Sequence, residues 1–137
     1  MERAHIEATV LEMVKKAKSA ARSLSALPGT VKNAILLDVG ETLIAQQPFI
    51  IAENLKDMAA GEKKGLSTAM LSRLQITEKV IGEMVQGLRE VAALEDPVGE
   101  IGDMRRRPSG IVVGRMRVPL GVILMIYESR PNVTIDS

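Results

Sequence analysis

The chain has 137 residues, of which 26% are charged and 46% hydrophobic, and a formal net charge of +1. That length and balance suit one globular domain or one piece of a larger one, and the charge calls for no polyanionic partner across the whole surface. With no cysteine and His5 as the single histidine, disulfides, thiolate metal sites, thiol nucleophiles and a recognisable zinc constellation are excluded.

The first two-thirds of the sequence reads as helices. Phe49 and Tyr127 are the only aromatic residues, so any core is built from Leu, Ile, Val, Met and Ala. Ile6, Val10, Met13, Val14, Ala17, Ala21 and Leu24 recur at helical spacing and predict a first helix with one buried stripe. Lys15, Lys16, Lys18 and Arg22 fall late in it, where cations suit the negative end of the helix dipole. Pro28-Gly29 breaks the pattern.

Thr30 is a candidate cap for a second helix over 31–45, with Ile35, Leu36, Val39 and Leu43 inward. Pro48 suits the first turn of a third, 48–60, carrying Ile51, Leu55 and Met58. Ser67 is placed to cap a short helix ending at Leu74. Thr77 is placed to cap a longer one, 78–94, whose stripe runs through Val80, Ile81, Met84, Val85, Leu88, Val91 and Ala92. Asp96-Pro97 ends it.

After Pro97 the character changes. Pro108-Ser109-Gly110 separates two extended runs, 100–107 and 111–118, which predicts a β-hairpin. The run from Leu120 to Tyr127 is short, continuous and apolar, the mark of a strand buried on both faces of a parallel sheet. Such a strand needs neighbours for its backbone groups, so the sequence reads as cut off where a parallel sheet begins. In open α/β sheets the loop at the carboxyl end of a strand is where ligands bind, which draws attention to Glu128-Ser129-Arg130-Pro131-Asn132.

The N-terminus has acidic residues where a signal peptide has a basic start and an apolar block, and no apolar run reaches transmembrane length, so a cytoplasmic protein with no membrane partner is expected. Arg105, Arg106, Arg107, Arg115 and Arg117 gather on the hairpin, but no interleaved aromatics accompany them to stack bases, so no nucleic-acid partner is expected. Glycine-rich dinucleotide and Walker loops are both lacking, and no metal site is assigned.

The segment PLGVILMIYESRPNVTID, 119–136, resembles the stretch of gamma-glutamyl phosphate reductases that ends the first core strand and opens the active-site loop. GLSTAMLSRLQIT (65–77), KNAILLDVGETL (32–43), DPVGE (96–100) and RRPSGIVVGRMRVPLG (106–121) are similar to other stretches of that family, in the expected order. The resemblance implies an α/β fold, the N-terminal portion of an aldehyde dehydrogenase-like fold. Its parts would be a mostly helical cofactor-domain portion over 1–99, a β-hairpin oligomerisation arm over 100–118, and the first core strand with its active-site loop over 119–137.

It also implies a reaction: reduction of L-glutamyl 5-phosphate by NADPH to glutamate 5-semialdehyde and phosphate, through attack of a cysteine thiolate on the acyl phosphate. A thiolate suits this, being both a good nucleophile and a good leaving group. This chain has no cysteine, so it holds no catalytic nucleophile and is expected to be an inactive fragment of the enzyme. Arg130 is a candidate for holding the substrate's phosphate or carboxylate with its guanidinium fork, or else a surface arginine or one bonded to loop carbonyls. Asn132 is a candidate donor to an acyl oxygen, or else a cap for the helix that follows. Ile126, Tyr127, Glu128 and Ser129 correspond to the stretch whose backbone flanks the cofactor in the wider superfamily. The hairpin would join subunits of a homo-oligomer by strand addition. The alternative to an enzyme fragment is a non-catalytic helical assembly or interaction module.

Overall fold

The computed structural model describes residues 2–128 and 130–136. Five helices come first: α1 (Glu2–Ser25), α2 (Gly29–Ala45), α3 (Gln47–Lys63), α4 (Thr68–Leu74) and α5 (Glu78–Ala92). The strands β1 (Ile101–Arg106) and β2 (Val112–Met116) follow, and a one-turn helix α6 (Val133–Asp136) comes last. The chain is thus mostly helical with one antiparallel hairpin, as its sequence pattern predicts.

The helix starts follow from local chemistry. Ser67 Oγ accepts from the Met70 N–H, and Thr77 Oγ1 accepts from the Val80 N–H, so each satisfies a donor that the first turn leaves open. Pro48 sits in the first turn of α3, where its missing N–H costs nothing. Thr30 departs from expectation. Gly29 already opens α2, so Thr30 lies inside the first turn.

Two compact units are distinguished. One takes Gly29–Leu94 and the chain from Met125 onward. Here α5 buries Ile81, Met84, Val85 and Leu88, and α2 packs across it. Gly40 of α2 faces Val85 and Leu88; a Cβ there would lie 3.5 Å from Val85 Cγ1, in ordinary contact. Asn54 of α3 is buried and joins elements distant in sequence. Its Nδ2 donates to the Leu74 carbonyl (2.9 Å) and its Oδ1 accepts from the Ile76 N–H (2.7 Å), which pins the linker between α4 and α5. Buried polar groups are retained when both their donors and acceptors are met in this way. Leu55, expected inward on α3, is exposed.

The other unit takes α1 through Pro28 and Glu95–Leu124. In the hairpin, Ile101 pairs with Met116 and Arg106 with Val112, and a bulge lies between Gly102 and Arg105. Asp103 occupies the bulge with φ 53, a left-handed conformation that aspartate tolerates better than most residues. The turn is closed by the Gly110 N–H on the Arg107 carbonyl and the Arg107 N–H on the Ile111 carbonyl, both 2.8 Å. Gly110 has φ 87, as the three-residue hairpin loop requires.

Two expectations are corrected, one on α1 and one on the run that crosses from this unit into the other. The apolar stripe of α1 is not buried: Ile6, Val10, Met13, Val14 and Leu24 are all exposed. Periodicity records which face a helix is able to bury, and burial itself needs a partner. The run 119–127 is likewise not a buried strand. No residue from 119 to 127 has a strand assignment, and Leu120, Leu124 and Ile126 are 88%, 84% and 87% exposed. A strand exists through its ladder bonds, and among the described residues β1 and β2 pair only with each other.

No single helix among the described residues is long and apolar enough to cross a membrane. The pair α2 and α3, bent by 69°, passes on length and composition alone.

Candidate active site

The loop singled out by the sequence lies in the unit built on α5. Pro131 and Asn132 form a turn that opens α6. The Val133 N–H donates to the Arg130 carbonyl (3.1 Å), and the Asn132 carbonyl accepts from Ile135 (2.9 Å) and Asp136 (3.0 Å). The short helix packs on α5, so the core side chains of α5 fix where the loop ends.

Each sequence-predicted residue other than Ser129 has a definite place. Arg130 is exposed, and its guanidinium makes no hydrogen bond or ion pair among the described residues. Its planar fork of donors is therefore open to an anion. Asn132 is half-buried, and its Nδ2 donates to Asp136 Oδ2 at 3.0 Å, from the residue before α6 to the last residue of its single turn. The side chain is tied to a carboxylate rather than to the backbone N–H groups that a helix cap would serve. Tyr127 shares a hydrogen bond of 2.6 Å with Thr134 Oγ1. Ile126 and Glu128 are exposed, and Ser129 lies outside the described residues.

Ile126, Tyr127 and Glu128 fit a flanking contact to a dinucleotide. Their backbone groups enter no backbone hydrogen bond among the described residues, so N–H and C=O groups are available there. No phosphate-cradling glycine loop accompanies them.

Pro131, Asn132 and Asp136 form one wall of a cleft of about 300 Å³. Ser72 and Arg73 of α4 and Val80, Glu83 and Met84 of α5 line the other side. Sequence reading named neither Arg73 nor Glu83 as a site residue. Arg73 lies within the family-like block 65–77, but only the packing of α6 on α5 brings it beside Asn132. The cleft offers a guanidinium, two carboxylates, a hydroxyl and the amides of Gln75 and Asn132, a set of groups for a polar ligand carrying both signs of charge.

The hairpin arginines are partly engaged within the hairpin itself. Arg117 Nε lies 3.1 Å from Glu100 Oε2, Arg115 Nη1 lies 3.8 Å from Asp103 Oδ2, and Arg106 donates to the Gly110 carbonyl at 3.4 Å. Exposed pairs of this kind contribute about 0–1 kcal/mol each, so they steer local geometry more than they stabilise it.

No family model matches the chain. Individual proteins do. It is 56% identical over 132 residues to a gamma-glutamyl phosphate reductase of Desulfotalea psychrophila, covering 96% of this chain and 32% of that protein. It is 55% identical over 126 residues to a protein of the same name from Magnetococcus marinus, covering 92% of this chain and 30% of that one. The chain thus spans about a third of the length of the curated relatives it matches. The crystal structure of gamma-glutamyl phosphate reductase from Thermotoga maritima superposes with a TM-score of 0.86 at 36% identity, over 91% of this chain and 30% of that one. That of the Saccharomyces cerevisiae enzyme also gives 0.86, at 32% identity, over 91% of this chain and 32% of its own. In sequence over 132 residues and in backbone over 91% of its length, the chain matches the N-terminal part of gamma-glutamyl phosphate reductases.

Proposed function

We propose that the chain serves, as part of a longer polypeptide, in the NADPH-dependent reduction of L-glutamyl 5-phosphate to L-glutamate 5-semialdehyde, a step of proline biosynthesis in the cytoplasm. The observation that carries this reading is the 56% identity over 132 residues with the Desulfotalea psychrophila reductase.

The chemistry divides between this chain and the remainder. The reacting thiolate comes from outside these 137 residues, since they contain no cysteine. When bound, NADPH would supply the hydride, with the backbone of Ile126, Tyr127 and Glu128 flanking it. Arg130, exposed and unpaired among the described residues, holds the phosphate or carboxylate of the substrate through its fork. Asn132 has a second amide hydrogen beyond the one given to Asp136, and it lends this to the substrate in the cleft. Oriented charge-assisted donors of this kind are worth most where water is excluded. The hairpin supports self-association, because a two-stranded sheet leaves an unpaired edge on each strand.

Two assays test the reading. The isolated 137-residue chain is expected to show no NADPH-dependent reduction of glutamyl phosphate. A chimera is then built in which this chain replaces the matching segment of the Desulfotalea psychrophila enzyme. It is expected to turn the substrate over, and replacing Arg130 with Ala is expected to raise its KM for the acyl phosphate. A folded chimera without activity, or robust turnover by the isolated chain, overturns the proposal.

A further inference from the structure

The cleft beside Asn132 carries opposite charges on separate elements. Arg73 lies in the last turn of α4. The backbone just after it is held by buried Asn54, through the Leu74 carbonyl at 2.9 Å and the Ile76 N–H at 2.7 Å. Glu83 stands on α5, one turn after Val80 and next to buried Met84, and both of these apolar side chains line the same cleft. The cleft therefore has an apolar part and two charged rims, all within the unit built on α5.

Neither rim charge is committed. Arg73 makes no hydrogen bond or ion pair among the described residues. Glu83 meets Lys79 at 3.7 Å, beyond hydrogen-bond reach, and so exposed a pair gives way readily to a better partner. Asp136 differs, because it already accepts from Asn132 Nδ2 at 3.0 Å. One guanidinium against two carboxylates leaves the cleft at −1. A phosphate group, itself carrying about two negative charges, is repelled there. A group that brings a carboxylate and a cation on one carbon is not: its carboxylate meets the guanidinium fork and its cation meets Glu83. A volume of about 300 Å³ suits such a small head. We propose that this cleft takes the α-amino-acid head of the substrate, with the α-carboxylate on Arg73 and the α-ammonium on Glu83. Both are then specificity-determining residues. Naming the substrate rests on the function proposed above, whereas the pairing of charges does not.

Two measurements on the chimera test it separately. The first is calorimetric titration with L-glutamate, which carries the head without the reacting group and so reads the cleft whether or not the chimera turns over. L-Glutamate is expected to bind, and Arg73→Gln and Glu83→Gln are each expected to weaken it about 10-fold or more, the range for a hydrogen bond to a charged group. Glutarate, which lacks the ammonium, should bind far less tightly. Absence of glutamate binding, glutamate binding untouched by either variant, or equal affinity for glutarate overturns the proposal. The second measurement is kinetic. Glu83→Gln should raise KM for glutamyl 5-phosphate by a similar factor with kcat kept, yet leave KM for glutaryl phosphate unchanged. Arg73→Gln should in the same way spare 4-aminobutyryl phosphate, which lacks the α-carboxylate. A variant that raises KM for its truncated substrate as much as for the full one marks a general structural role and overturns the assignment. An inactive chimera instead counts against the enzymatic reading, with the titration still deciding the cleft.

Discussion

The helices of Gly29–Leu94 and the segment from Glu95 to Leu124 are both rich in aliphatic residues, yet every residue described as buried lies in the first. The difference lies in what each kind of element needs. A helix satisfies its own backbone, and neighbouring helices on short connections bring a covering face within reach. An apolar strand satisfies nothing until another strand lies beside it. Ile81, Met84, Val85 and Leu88 of the α5 stripe therefore become a core, with Val91 left exposed, whereas 119–127 leaves its side chains exposed.

Substitutions sharpen this contrast, each read by urea denaturation of the 137-residue chain followed by far-UV circular dichroism. Ile81→Ala is expected to have the largest effect, a loss of about 2–5 kcal/mol, since the side chain is 1% exposed and its removal leaves a cavity. Asn54→Ala follows at about 2–3 kcal/mol, because the Leu74 carbonyl and the Ile76 N–H then lose their shared partner. Thr77→Ala should remove about 1 kcal/mol with the cap of α5. Leu124→Ala should change stability by less than about 0.5 kcal/mol, as suits a side chain that is 84% exposed. A core-sized loss at Leu124 would break the comparison, showing that this run is covered in solution by another copy of the chain.

Much of the fold was legible because it is local. Ser67 and Thr77 cap α4 and α5 by bonds to the third residue onward, and such bonds follow from residue type and spacing. Pro108-Ser109-Gly110 placed the hairpin turn for the same reason. The candidate loop was also legible as a segment, from an apolar run ending in Glu128 to Asn132. Its internal ties were not. Asn132 gives its amide to Asp136 and Tyr127 pairs with Thr134, where other polar residues nearby would have served equally well on sequence grounds.

The sequence by itself determined the helices, their caps, the hairpin turn and the likeness to one reductase family, all of which rest on patterns within a few turns of chain or on direct residue identity. Only the tertiary structure decided which apolar faces are buried, that Arg73 and Glu83 share a cleft with Asn132, and that Asn54 reaches 20 and 22 residues along the chain to hold the linker before α5. The reason is physical. Periodicity states what a segment is able to bury or bond, but the partner is chosen by packing between elements far apart in sequence.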